Sequence, residues 1–320
     1  MSSVVRVLAE ETGLALNDVR RILATAPKRY KTFFITKRSG GRRAISQPAR
    51  EVKLLQRVFA SKFLFQLPIH RCATAYVPGA SILANAQPHA GHGRPILKMD
   101  FKDFFPSIRS LDWVAYCRAN AINFTDEELD LSSRLLFTFV PGFQGLRLAI
   151  GAPTSPLLSN VLMFEFDRKV HDFAITEQVA YTRYADDLTF SAARTGFLVG
   201  VVKAVKGQLR EMSYPRLQIK EEKTVYATAK YRRSVTGLIL SNDGKITIGR
   251  EKKRLLHATV HRAANGQLEP HDLQQLGGML AYVKSVEPAF LETLRKKYGD
   301  DVIVDIQNMR WLPRKGAING

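Results

Sequence analysis

Three aspartates carry the chemistry that this sequence offers. Asp186 and Asp187 stand side by side in Tyr184-Ala185-Asp186-Asp187, between Val179-Ala180-Tyr181 and Leu188-Thr189-Phe190. These flanks are apolar and rich in β-formers, which predicts strands over 179–184 and 188–191 with the acids at their turn. Adjacent carboxylates at a hairpin tip repel each other, and only a cation between them or surrounding water relieves that cost. An isolated Asp-Asp pair is ordinarily a solvated turn, since Asp is a common turn residue. The third aspartate shifts the balance. Ile96-Leu97-Lys98-Met99-Asp100 is an apolar strand ending in an acid, followed by Phe101-Lys102-Asp103-Phe104-Phe105. Taken alone, Asp100 is a strand-end cap. Carboxylates on neighbouring strand ends, however, suit magnesium, which takes oxygen ligands and commonly uses one or two carboxylates plus substrate phosphates. Two such ions about 4 Å apart can activate an attacking hydroxyl and stabilise a leaving pyrophosphate.

The elements that must position these acids are legible from periodicity. Apolar spacing predicts a helix over 1–26, interrupted near Gly13. Strands over 32–36 and 42–46 flank Lys37-Arg38-Ser39-Gly40-Gly41, a hairpin turn. A helix follows Pro48, with Val52, Leu55, Val58 and Phe59 on one face. Thr125 followed by Asp126, Glu127 and Glu128 is an N-cap with an acidic first turn. Ser155-Pro156 opens another helix. Asn242-Asp243-Gly244 marks a hairpin, and basic helices run from about Arg250.

Composition bounds the partner. The 320 residues carry a formal net charge of +19, and such an imbalance favours a polyanion, because phosphates release counterions when Lys and Arg neutralise them. A membrane surface, or simple basic solubility, would satisfy charge alone. With no run of 18 apolar residues, no transmembrane helix is expected, and Met1 to Glu10, lacking a basic start before an apolar core, predicts no secretory signal. The two cysteines, Cys72 and Cys117, lack paired spacing, so neither a disulfide framework nor a Cys-based zinc site is expected, and a cytoplasmic setting is. His89 with His92, and His257 with His261, have no companion ligands and no His-Glu-x-x-His pattern, so zinc is not expected at either.

These residues together carry a family resemblance. Tyr184-Ala185-Asp186-Asp187 resembles the Tyr-x-Asp-Asp box of reverse transcriptases. Asp100 through Phe105 is similar to their first palm motif. Gly151-Ala152-Pro153-Thr154-Ser155-Pro156 resembles the loop-to-helix motif between them, and all three occur in the family's order. The resemblance implies an α+β right-hand polymerase. Fingers would span 1–94, palm 95–112 and 150–240 with the primer grip, an insertion 113–149, and a helical thumb 241–320. It makes Asp100, Asp186 and Asp187 the catalytic metal ligands for two Mg2+ ions, and places Phe105 beneath the sugar, where an aromatic ring would exclude a ribose 2′-hydroxyl. Phe104 is adjacent and cannot face the same way. Arg43, in the basic fingers hairpin, would hold the triphosphate with two parallel hydrogen bonds, although Arg42 remains open as the alternative. Gly151 and Lys223 would also line the nucleotide site. Ile150 stands where many relatives have Gln, which removes one hydrogen bond from the pocket.

Two further strings narrow the resemblance. Asn85-Ala86-Gln87-Pro88-His89 matches the Asn-Ala-x-x-His element of retron reverse transcriptases, and Val235-Thr236-Gly237 matches their Val-Thr-Gly element. The resemblance assigns Asn85, His89, Val235, Thr236 and Gly237 to nucleic-acid binding, His89 being either structural or RNA-contacting. The basic helix with Arg250, Lys252, Lys253 and Arg254 joins them, since RNA duplexes are held chiefly through shape, phosphates and 2′-hydroxyls. The retron likeness implies dNTP substrates, a cognate structured noncoding RNA, a branched RNA-linked DNA product and an effector protein acting in anti-phage defence. A group II intron-like or diversity-generating enzyme is the rival, opposed by Val235-Thr236-Gly237 and by the missing extensions. A non-copying RNA–DNA scaffold is opposed by the three intact aspartates.

Overall fold

The computed structural model describes residues 3–36 and 40–308. The chain divides into two compact units, one of Met1–Ala80 with Ile96–Tyr226, the other of Ser81–Pro95 with the chain from Ala227 onward. Residues 81–95, expected with the fingers, therefore group with the C-terminal part, and the expected boundary after residue 240 falls inside the second unit.

In the first unit, helices Ser3–Thr12 and Leu16–Thr25 break at Gly13, whose φ of +71° suits a residue without a Cβ. Strands β1 (Tyr30–Thr36) and β2 (Arg42–Pro48) form an antiparallel ribbon with Thr36 opposite Arg42. Its expected turn residues Lys37, Arg38 and Ser39 lie outside the described residues. The helix after Pro48 spans Arg50–Phe59 and buries Val52, Leu55 and Phe59. Thr125 and Glu128 form the reciprocal cap of helix Asp126–Leu136, and the same Glu128 carboxylate accepts from the Ser3 backbone N–H at 2.6 Å, tying the N-terminal helix down.

The central sheet contains β3 (Ile96–Asp100). A short ribbon of β4 (Thr138–Phe139) and β5 (Leu146–Arg147) lies apart from it. Strands β6 (Ala180–Tyr184), β7 (Asp187–Ser191) and β8 (Val225–Ala227) complete the sheet in the order β6-β7-β3-β8. Both β3–β7 and β6–β7 pairs are antiparallel. Alternation sends Leu97, Met99, Tyr181, Leu188 and Phe190 into the core, where helices Ser155–Leu162 and Phe164–Thr176 contribute Leu158, Val161 and Phe166. Burial of these side chains stabilises the sheet by roughly 1.5–3 kcal/mol each and fixes its register, because a slip of one residue would turn the apolar set outward.

The second unit opens with the short helix Ile82–Ala86, capped by the Ser81 hydroxyl. It continues with β9 (Ser234–Val235), β10 (Leu238–Leu240) and β11 (Ile246–Thr247), ordered β11-β10-β9. Helices Arg250–Ala264, Pro270–Val286, Pro288–Tyr298 and Asp300–Gln307 follow, and bury Leu256, Val260, Leu276, Leu280, Leu294, Ile303 and Ile306. Among the described residues, no helix is long and apolar enough to cross a membrane.

Candidate active site

Strand pairing does for the aspartates what their spacing alone could not. Asp100 ends β3 directly opposite Asp187 on β7, and Tyr184 pairs with Asp187 across a two-residue turn of Ala185 and Asp186. Ala185 has φ +57°, a conformation that normally asks for glycine. The turn is held from outside: the Phe101 N–H donates to the Asp186 carbonyl at 3.0 Å, and the Arg183 guanidinium donates to the Ala185 carbonyl at 3.1 Å.

Arg183 is fully buried and paired with fully buried Asp167 at 2.5 Å. Its guanidinium also donates to Asn160 Oδ1 at 3.1 Å, while Asn160 Nδ2 donates to the Ala75 carbonyl at 2.8 Å and the Tyr181 hydroxyl donates to Asp167 at 2.9 Å. This network anchors the Ala185–Asp186 turn, and sequence reasoning misses it. A signal is present all the same: Arg183 alternates with Thr182 and Tyr184 at a core-facing position, where a charge demands a partner. Removing either ion would strand the other, at a cost of about 3–5 kcal/mol.

The electrostatics match a cation site. Burial, then the Asp100 charge, raises the Asp186 carboxyl above its ordinary range. Asp187 is raised to about 6 by burial and by Asp186 and Asp100, against the opposing pull of Lys98. Lys223 Nζ lies 2.7 Å from Asp100 Oδ2. Burial works against its charge, but the Asp100 bond and the neighbouring carboxylates raise its pKa. The all-carboxylate donor set suits a hard divalent ion. Among the described residues, no three acid, imidazole or thiol groups are arranged to enclose an ion unaided.

A cavity of about 390 Å3 opens beside these acids, lined by Arg42, Arg43, Phe105, Ile150, Asp186 and Lys223 among others. Phe104 and Phe105 both line the cavity, Phe104 buried and stacked on Phe101 at 5.5 Å and Phe105 half-buried. Both arginines line the cavity, and the Arg43 charge works against the rise at Asp186. Ile150 contributes its carbonyl to Ser46 N–H at 2.8 Å. Gly151 sits behind it with φ +119°, where a Cβ would lie 2.9 Å from the Ser46 carbonyl. That glycine is explained by the close passage of the loop against β2. Tyr76, which no sequence motif singles out, also lines the cavity.

The residues assigned to nucleic acid in the second unit separate into two groups. Asn85, His89 and Val235 are at most 1% exposed, so burial makes them framework and places them away from a surface that nucleic acid touches. Thr236 and Gly237 form the β9–β10 turn with φ +46° and +82°, and the Thr236 hydroxyl donates to the Ile82 carbonyl at 3.2 Å. The Asn-Ala-x-x-His and Val-Thr-Gly elements, far apart in sequence, thus pack together. Arg250, Lys252 and Arg254 are exposed, whereas Lys253 is ion-paired with Glu287 at 2.5 Å and lies over the Phe290 ring. His257 packs edge-on against Phe290 at 5.4 Å, a structural role.

A strand-end aspartate facing an Asp-Asp hairpin, beside a basic and aromatic cavity, defines the palm of a right-hand polymerase. The fold comparison agrees: the telomerase of Candida albicans, solved with a fragment of telomeric RNA, aligns with TM-score 0.50 at 14% identity, over 88% of this chain and 59% of that one. The profile of the reverse transcriptase (RNA-dependent DNA polymerase) family matches residues 35–253. The retron Ec83 reverse transcriptase of Escherichia coli is 36% identical over 281 residues, 87% of this chain and 89% of that one. The retron Ec73 reverse transcriptase of Escherichia coli is 33% identical over 294 residues, 90% of each. The retron Mx65 reverse transcriptase of Myxococcus xanthus is 33% identical over 91% of this chain and 70% of that one. This chain belongs to the retron reverse transcriptases and is an RNA-directed DNA polymerase, a family that works on nucleic acid and uses divalent metal ions.

Proposed function

We propose that this polymerase copies a dedicated structured noncoding RNA into branched, RNA-linked single-stranded DNA, with Mg2+ held by Asp100, Asp186 and Asp187. The observation that carries this reading is the register of β3 against β7, which sets Asp100 opposite Asp187 at the end of the sheet. Two bound ions would supply the charge that activates the primer hydroxyl and stabilises the departing pyrophosphate. The chain's own residues do the rest. Arg43 holds the triphosphate of the incoming dNTP, and Phe105 lies against its sugar and rejects a 2′-hydroxyl. Lys223, at 2.7 Å from Asp100 in this structure, can turn to the pyrophosphate and give it a proton. Residues 1–80 supply fingers, the β6-β7-β3-β8 sheet is the palm, and the helices after Arg250 form a thumb that grips the RNA with Arg250, Lys252 and Arg254. Thr236 and Gly237, at a strained turn, present the backbone that grips the primer. The retron relationship supports priming from an internal guanosine 2′-hydroxyl and work beside an effector protein in anti-phage defence.

Primer extension on a generic RNA template tests the chemistry. Asp186→Asn is expected to abolish it, and near-parental extension in Mg2+ overturns the assignment. Sequencing the RNA and DNA that copurify with the chain tests the product, which should contain one RNA joined to one DNA species.

A further inference from the structure

Tyr76 has no role in this catalytic scheme, yet the structure holds it under tension. Its φ is +62°, in the left-handed region that a bulky side chain seldom enters. The segment before it is locked in place. Ala73 forms a parallel bridge with Arg183, the Thr74 N–H donates to the Arg183 carbonyl at 2.8 Å, and the Ala75 carbonyl accepts from buried Asn160. Strain of this kind persists where surrounding contacts over-determine it, and clusters at ligand clamps. What it achieves here is to turn an aromatic ring, 47% exposed, into the cavity beside the aspartates. The ring lies 6.4 Å from that of Phe105, so the two make one continuous aromatic wall. The phenol stands within electrostatic reach of both Asp186 and Arg43, the reacting end and the triphosphate end of the site. A tyrosine phenol is protonated near neutral pH and can donate.

We propose that Tyr76 is a specificity-determining residue of the nucleotide pocket, extending the Phe105 wall beneath the incoming sugar and donating its phenol O–H to the sugar–phosphate oxygens. The proposal rests on the reading of this cavity as the deoxynucleotide site.

The test is single-nucleotide incorporation with dTTP and UTP on a generic primer–RNA template, reading KM and kcat separately. Tyr76→Asn removes the ring but tolerates the left-handed backbone, and Tyr76→Gly removes both ring and strain. Each is expected to raise KM for dTTP about tenfold, the scale of one missing hydrogen bond with its packing. Each should also lower the dTTP-over-UTP preference, while kcat stays within a few-fold. Tyr76→Phe should keep the preference and raise KM only by about threefold. If both ring-less variants keep parental KM and preference, or lose only kcat, the proposal fails. Should one of them not fold, the other and Tyr76→Phe still decide. Asp186→Asn run in parallel separates the two readings: an active Asp186→Asn enzyme overturns the site itself, whereas a dead one beside unaltered Tyr76 variants overturns only the role of Tyr76.

Discussion

The aspartate hairpin of the first unit and the motif cluster of the second solve the same backbone problem for different ends. Each contains a two-residue turn that begins with a non-glycine residue at positive φ, Ala185 in one and Thr236 in the other. Each is clamped by a hydrogen bond from outside the turn or to a segment beyond it, Arg183 to the Ala185 carbonyl and Thr236 to the Ile82 carbonyl. Around Ala185 the clamp displays three carboxylates beside an open cavity, and the pKa values of Asp186 and Asp187 are raised there. Around Thr236 the neighbouring motif residues Asn85, His89 and Val235 are sealed in. Short motifs of similar apparent specificity therefore mark different things. One gathers mutually repelling carboxylates beside a cavity, and the other joins distant segments within one unit.

The contrast breaks most sharply at Asp187. Its carboxyl titrates at about 6 in the folded chain, above its ordinary value. A raised acid stabilises the fold below its unfolded pKa of about 3.9, and that contribution is lost as pH rises through the folded value. Asp187→Asn should therefore melt higher than the parent at pH 7.5 in EDTA, while primer extension falls at least about a hundredfold, the scale of removing an electrostatic stabiliser. Thermal melts and extension assays on one preparation check both. A variant that is inactive and also melts lower would mean that the carboxylate serves the fold and not a ligand.

Much of the first unit is legible because its signals are local. The Gly13 break, the Thr125–Glu128 cap and the β6–β7 hairpin follow from capping, turn and alternation rules acting within a few residues. The three aspartates are legible because each ends or begins a strand or sits in the turn between two. The Arg183–Asp167–Asn160 network and Tyr76 are not, since both depend on segments brought together from distant parts of the chain. In the second unit the motifs are visible but their burial is not. Nothing in Asn85-Ala86-Gln87-Pro88-His89 says that a sheet from far downstream packs over it, so framework residues look like nucleic-acid contacts.

His89 sharpens the same contrast. Burial, aided by Arg94, holds its imidazole down to about 3. Neutral in the fold and readily protonated once unfolded, it stabilises nothing extra above about pH 6.5, and stability falls below that pH by up to about 1.4 kcal/mol per pH unit, until its folded value is reached. At pH 5 the loss is about 2 kcal/mol. Hydrogen exchange corrected for intrinsic rates should show peptides from 81–95 and 227–308 losing protection between pH 7 and pH 5, more than peptides from 96–191. His89→Gln should remove that difference. An equal loss in both units, or a loss unaltered by the substitution, assigns the acid sensitivity elsewhere.

The smallest effect is expected at the basic helix Arg250–Ala264, where one face divides exposed cations from a structural one. Arg250 and Arg254 stand four residues apart and exposed, on the same side of the helix. Lys253 is 29% exposed, paired with Glu287 and set over the Phe290 ring. If the exposed pair meets phosphates, Arg250→Ala with Arg254→Ala should flatten the log–log salt dependence of RNA binding by about two units, one for each phosphate no longer held. Generic extension at saturating template should survive better than self-primed synthesis on the cognate RNA, because the carboxylates are untouched. Lys253→Ala should lower the melting temperature and leave the salt slope unchanged, since its charge is already engaged by Glu287. Binding measured across a salt series, with melts alongside, distinguishes the two. A Lys253→Ala variant that flattens the slope would mean that RNA competes with Glu287 for this ammonium, and the division between framework and RNA-binding cations would then fail on this helix.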